Sequence, residues 1–140
     1  MAKDETRSVS IERTGQTRYV ATNARGGTLP FGSGQSQEFT PVELLLAAVA
    51  GCSAIDVDVL TSRLAEPERF TMTAAAEKVR DEQGNHLGPV TVTVSVTFPE
   101  GQDGDAARER LPGAVAMSRD RLCTVSRTVA LPTPVSYEVP

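Results

Sequence analysis

The sequence predicts an α+β fold: antiparallel sheets wrapped around one long, buried central helix. Three observations carry that expectation. Val90, Val92, Val94, Val96 and Phe98 alternate with Thr91, Thr93, Ser95 and Thr97, the period of a half-buried strand. Thr40, Pro41 and Glu43 form a capping box with a proline at the first helical position, directly ahead of a long apolar run. A polar, glycine-bearing gap at Thr14-Gly15-Gln16-Thr17 separates two short strand-like stretches, as in a hairpin. At 140 residues the chain has the size of one domain, expected over 1–140, and could bury roughly two thirds of its unfolded surface.

Taken in order, residues 1–6 form a polar start. Val9-Ser10-Ile11, Tyr19-Val20-Ala21 and residues 28–31 read as a small antiparallel meander, and residues 32–37 as a Gly/Ser-rich loop. The helix is expected from Pro41 to about Leu64, stopping before Pro67. Its first half, Leu44-Leu45-Leu46-Ala47-Ala48-Val49-Ala50-Gly51-Cys52, is apolar on every face, so other elements must cover it. Residues 70–79 read as a strand, Gly84-Asn85-His86 as a connecting turn, and residues 90–98 as the best strand of the chain. Asp105 is the expected cap of a helix reaching Met117, with Pro112 as a kink or restart. Residues 120–128 read as another helical segment with Cys123 in its first turns. Residues 131–139, carrying Pro132 and Pro134, read as an edge strand.

Composition excludes several function classes. The formal net charge is −4, which lacks the basic footprint of a general nucleic-acid binder and the polybasic character of a membrane anchor. The N-terminus has no apolar core of a signal peptide, and the longest uncharged stretch, residues 44–55, is twelve residues, short for a bilayer span. A soluble, cytoplasmic protein is expected. Two cysteines and one histidine, far apart in sequence, show no zinc-ligand spacing, so neither a metal nor a bound cofactor is expected.

Cys52 and Cys123, 71 residues apart, are the candidate reactive groups. Most free cysteines are small buried hydrophobes. A thiol near a helix N-terminus acidifies, which applies to Cys123; Asp56, one turn beyond Cys52, would instead raise that thiol. His86, in a polar stretch, is expected at the surface. The charges around Arg108-Glu109-Arg110 and Arg119-Asp120-Arg121 are mixed in sign and read as a solvated face.

The stretch Thr40-Pro41-Val42-Glu43-Leu44-Leu45-Leu46-Ala47-Ala48-Val49-Ala50-Gly51-Cys52-Ser53-Ala54-Ile55-Asp56-Val57 resembles the first cysteine motif of the OsmC/Ohr family. Leu122-Cys123-Thr124-Val125-Ser126, with the closing Val135-Ser136-Tyr137-Glu138-Val139, is similar to the second, and the order of elements agrees over nearly the whole chain. The likeness is greater to the general OsmC branch than to the organic hydroperoxide resistance branch. The resemblance implies an intertwined homodimer and a thiol-dependent peroxidase acting on organic hydroperoxides or hydrogen peroxide, recycled by an external dithiol. By the same resemblance Cys52 is the peroxidatic residue and Cys123 the resolving one.

The resemblance also implies an arginine and a carboxylate beside the first thiolate. Arg18, at the start of the second strand, fits the arginine better than Arg13 or Arg25. Val42 stands where the strict peroxidases carry their carboxylate, and Glu43 follows one residue later. On a regular helix ten residues place a group about 80° from Cys52 and nine about 180° away, so Glu43 reads first as the capping-box residue. A small-molecule-binding or redox-sensing member without peroxidase activity is the alternative, and a structural dimer with inert cysteines is the third.

Overall fold

The computed structural model describes residues 5–140; residues 1–4, most of the polar start, lie outside the described residues. The chain divides into two compact units, residues 1–45 and 46–140. The first unit holds β1 (Val9–Gly15), β2 (Arg18–Asn23) and β3 (Thr28–Gly32), an antiparallel sheet in the order β1-β2-β3. Arg13 faces Tyr19 across β1 and β2, and Tyr19 faces Phe31 across β2 and β3. The Tyr19 and Phe31 rings stack with centroids 5.5 Å apart, which anchors the meander. The second turn is held by Asn23, whose Oδ1 accepts N–H bonds from Arg25 at 3.0 Å and Gly27 at 2.9 Å.

Helix α1 (Pro41–Ser62) begins at the proline, where the sequence places it. In the second unit it is followed by β4 (Arg69–Ala75), β5 (Lys78–Asp81), β6 (Gly84–Leu87), β7 (Thr91–Thr97), α2 (Gln102–Met117), a π-helical turn (Ser118–Leu122) and α3 (Thr124–Ala130). β4 and β7 pair antiparallel with Phe70 opposite Val96 and Met72 opposite Val94. Phe70, Met72, Ala74, Val92, Val94 and Val96 are the half-buried members of the alternation, and the intervening residues are exposed. The core of this unit is Val49, Val57, Thr61, Phe98, Ala107, Ala114, Ser118 and Cys123.

The structure corrects several sequence expectations. The stretch 70–79 is two strands, because the chain leaves β4 at Ala75 and re-pairs from Lys78 as one arm of the β5–β6 hairpin. Gly84-Asn85-His86 is therefore strand; the turn is Glu82-Gln83, fixed by Asp81 Oδ1 accepting from the Gln83 N–H at 2.8 Å. α2 is capped by Gly101, with a φ of 115° open to glycine, and Asp105 lies inside its first turn, salt-bridged to Arg108 at 2.7 Å. The helix runs through Pro112. Residues 120–128 are split at Cys123, which is extended and caps α3 instead of lying within it.

Residues 131–139 form no strand: among the described residues of this chain they have no ladder partner, and Pro132 and Pro134 lack the N–H to donate. Val135, Tyr137 and Val139, at alternating positions, are 73%, 88% and 96% exposed. Within one chain α1 is also not covered on all faces. Only Val49, Val57 and Thr61 are buried, while Ile55 and Val59 stand open, because one chain supplies too few elements to surround an apolar rod. At 22 residues, with an 18-residue stretch of mean hydropathy 1.8, α1 is long and apolar enough to cross a membrane by length and composition. Ser118 Oγ, donating to Asp56 Oδ2 at 2.8 Å, ties α1 to the π-helical turn of its own chain, and Thr61 Oγ1 donates to the Val57 carbonyl within the helix at 2.8 Å.

Gly104 is the tightest backbone approach. A Cβ there would collide with the Pro99 carbonyl oxygen, and backbone cannot give way as a flexible side chain does. Gly104→Ala is expected to cost about 3 kcal/mol, the upper end for overpacking, read as a lower urea midpoint at unchanged slope.

Candidate active site around two cysteines

Cys52 is carried by α1, three turns from its start, and is half-buried; Cys123 is fully buried at the start of α3. Both are free thiols, and the fold brings them together. The Sγ atoms of Cys52 and Cys123 and a carboxylate oxygen of Asp56 all lie within 4.8 Å of one another. Asp56 follows Cys52 by one helical turn on the same face, as the spacing implies.

Local chain geometry surrounds Cys123 with donors. As the cap of α3 its Sγ accepts the Ser126 N–H at 3.3 Å, and Ser126 Oγ lies 3.2 Å away. A cysteine followed three residues later by serine is a sulfur version of a helix-capping pair, a signal visible in Cys123-Thr124-Val125-Ser126. Burial pushes the Cys123 thiol up, but hydrogen bonds from the Ser126 hydroxyl, Cys52, the Ser126 N–H and Ser53 outweigh it and hold the thiol below its ordinary value. The Cys52 thiol moves the other way. Burial raises it, the Val125 backbone N–H opposes, and the hydrogen bond to Cys123 with the charges of Cys123 and Asp56 add to the rise. Of the two, Cys123 is therefore the more acidic thiol, and a hydrogen bond links the two sulfurs.

Among the described residues, the groups acting on these thiols include no cation. Arg18 is exposed and paired with Glu38 at 3.5 Å, and Arg13 and Arg25 are exposed. Glu43 performs the capping-box role read from the sequence: its Oε1 accepts from the Thr40 N–H at 2.9 Å, and its own N–H donates to Thr40 Oγ1 at 3.2 Å. Thr40→Ala is expected to cost about 1 kcal/mol in chemical unfolding, and Glu43→Gln, which keeps the reciprocal acceptor, less than about 0.5 kcal/mol. His86 is exposed, its Nε2 3.1 Å from Asp81 Oδ2, and takes no part in the site.

A cavity of about 600 Å³ reaches the pair's serine neighbours, Ser53 and Ser126, while neither cysteine itself lines it. Val49, Val57, Met72, Val92 and Val115 give it an apolar lining, and Ser53 and Ser126, the two serines that donate to Cys123, open onto it. Arg119, bonded to Asp120 at 2.8 Å, places the cavity's one charged side chain on its wall. Ser53, Ser126 and Arg119 were not singled out by sequence reasoning, because their roles come from α1, α3 and the π-helical turn meeting in space. The arrangement suits chemistry at sulfur on an apolar molecule: a protected thiol pair, one sulfur half-open, beside an oily chamber.

The family model for OsmC-like protein matches residues 33–138. An uncharacterized protein of Mycobacterium tuberculosis is 32% identical over 131 residues, covering 92% of this chain and 93% of that protein. Two solved structures share the fold. An OsmC-like protein of unknown function from Vibrio cholerae superposes with a TM-score of 0.72 at 11% identity, covering 89% of this chain and 94% of its own. An organic hydroperoxide resistance protein OsmC from Legionella pneumophila superposes with a TM-score of 0.60 at 19% identity, covering 91% of each chain.

Proposed function

This chain belongs to the OsmC-like protein family, and we propose that it is a cytoplasmic, thiol-dependent peroxidase that reduces hydroperoxides through Cys52 and Cys123. The observation that carries the reading is the cysteine pair, with sulfurs within 4.8 Å, set beside an apolar cavity of about 600 Å³. That lining favours an organic hydroperoxide over hydrogen peroxide, since an apolar group gains about 25 cal/mol for each Å² it removes from water.

The Cys52 thiolate attacks the terminal peroxide oxygen. An S–O bond forms, the O–O bond breaks, and the leaving alkoxide takes a proton to become the alcohol. Cys52 is left as a sulfenic acid. The Cys123 sulfur, as thiolate, then attacks the Cys52 sulfur, the S–S bond forms, and hydroxide leaves as water after protonation. An external dithiol reduces the disulfide by exchange. Cys52 is the attacking group because it is half-open whereas Cys123 is fully buried. Its proton must first pass to Cys123 or to solvent, and a cation beside the sulfur would favour that loss, for which Arg18 is the proposed source.

The same reading includes a homodimer. Ala48, Cys52, Ile55 and Val59 recur at spacings of four, three and four along α1, with Ile55 67% and Val59 53% exposed. This is the seam pattern of packed helices, and a second copy of α1 is the natural cover. The exposed, alternating Val135, Tyr137 and Val139 also suit a strand completed by another chain.

One observation favours a redox-sensing member that does not turn over: burial, with Cys123 and the Asp56 charge, raises the thiol of Cys52, the half-open sulfur. Peroxide consumption by the reduced full-length protein separates the readings, with dithiothreitol present and cumene hydroperoxide and hydrogen peroxide compared side by side. The peroxidase reading expects catalytic turnover with a higher kcat/KM for cumene hydroperoxide. Folded protein with two titratable thiols and no consumption above background would leave sensing or binding as the function.

A further inference from the structure

Sequence spacing offers no metal site, yet the tertiary structure gathers two sulfurs and a carboxylate into one cluster. Cys52 and Asp56 come from successive turns of α1 and Cys123 from the cap of α3, with donor atoms all within 4.8 Å of one another. From this geometry we propose that the reduced chain binds one thiophilic divalent cation of the zinc class through Cys52 Sγ, Cys123 Sγ and a carboxylate oxygen of Asp56.

Zinc bonds sulfur at about 2.3 Å and carboxylate oxygen at about 2.1 Å, so neighbouring ligand atoms on a tetrahedral ion stand about 3.7 Å apart. Side-chain rotations of about 1 Å close the cluster to that spacing. Two sulfurs select zinc-like ions over magnesium or calcium, which take oxygen ligands. The third ligand is already oriented: Ser118, 1% exposed, donates its hydroxyl to Asp56 Oδ2 at 2.8 Å. Such an outer hydrogen bond holds a ligating carboxylate in place. The cluster also gathers acidic groups with no cation among the groups acting on the two thiols in the described residues, so a divalent ion supplies the missing charge. On binding, two S–metal bonds form and two S–H bonds break, their protons passing to solvent, while water completes the fourth position. The site does not depend on peroxide turnover. It and the Cys52–Cys123 disulfide exclude each other, because a disulfide has no thiolate to offer.

The test is anaerobic titration of the reduced full-length protein with cobalt(II), followed by displacement with zinc. The expected result is sulfur-to-cobalt charge-transfer absorption with the visible bands of a tetrahedral ion, saturating at one cobalt per chain and lost on zinc addition. Cys52→Ser and Cys123→Ser should each lose most of the charge-transfer band. Asp56→Asn, the same size as aspartate, should weaken binding at least tenfold, and Ser118→Ala about tenfold, the scale of a lost outer-shell partner. Circular dichroism of the metal-free variants confirms that each is folded. No charge-transfer band in folded protein with both thiols titratable overturns the proposal. So does saturation at half a metal per chain, which requires ligands from two chains, or an affinity unchanged in Asp56→Asn. Loss of peroxidase activity in the wild type, by contrast, would leave this result standing.

Discussion

Cys52→Ser is expected to reduce peroxide consumption by at least about 1,000-fold, because a serine hydroxyl is no substitute for a thiolate at the O–O bond. Cys123→Ser should behave differently. The first attack survives, but the sulfenic acid on Cys52 has no neighbouring thiol to condense with. With limiting peroxide and no dithiol, intact mass should show one added oxygen in Cys123→Ser and a two-hydrogen loss in the wild type. With excess peroxide the variant should climb to two and three added oxygens. The reverse pattern, with oxygen accumulating in Cys52→Ser and a disabled first turnover in Cys123→Ser, would transfer the attack to Cys123. That inversion has a physical basis here, since hydrogen bonds with Ser126, Cys52 and Ser53 hold the Cys123 thiol below its ordinary value. Access argues the other way, because Cys123 is fully buried and Cys52 is half-open.

Ile55→Asp combined with Val59→Asp is the second large effect expected. In the proposed two-fold dimer each residue would lie in the seam twice, so the exchange would remove two isoleucines and two valines from burial. At about 1.5 kcal/mol each, the low end for such side chains, the loss is about 6 kcal/mol or roughly 10,000-fold in the dimer dissociation constant. The added carboxylates would make it larger. Sedimentation equilibrium should therefore find a dimer for the wild type and a monomer for the double variant. Because Cys52 lies on the same stripe, between Ala48 and Ile55, peroxidase activity should fall with the dimer. A wild type that sediments as a monomer at micromolar concentration would remove the seam, and with it any subunit contribution to the site.

The helix start was legible in the sequence because its energetics are local. Thr40, Pro41 and Glu43 satisfy the first backbone donors of α1 with atoms a few residues away, and the reciprocal bonds between Thr40 and Glu43 are those the pattern implies. β7 was legible for the same reason: a period of two in Val92, Val94 and Val96 matches one face of a pleated strand whatever its partner is. The β5–β6 hairpin was not, because Gly84, Asn85 and His86 have turn composition and only pairing with Val79 and its neighbours makes them strand. The strand expected at 131–139 failed for the complementary reason, since a strand exists only where another offers its hydrogen bonds.

The candidate site divides along the same line. The sequence by itself determined the two sulfurs, the family pattern around them, and the placement of Asp56 one turn beyond Cys52. Only the tertiary structure decided that Cys52 and Cys123 meet across 71 residues, that Ser126 and Ser53 help lower the Cys123 thiol, that Ser118 orients Asp56, and that the cavity lined by Ser53 and Ser126 is mostly apolar. The reason is that caps and periodicities are set by neighbours within one or two turns. Burial, thiol acidity and ligand geometry are instead set by atoms from distant segments, whose approach depends on the packing of the whole unit.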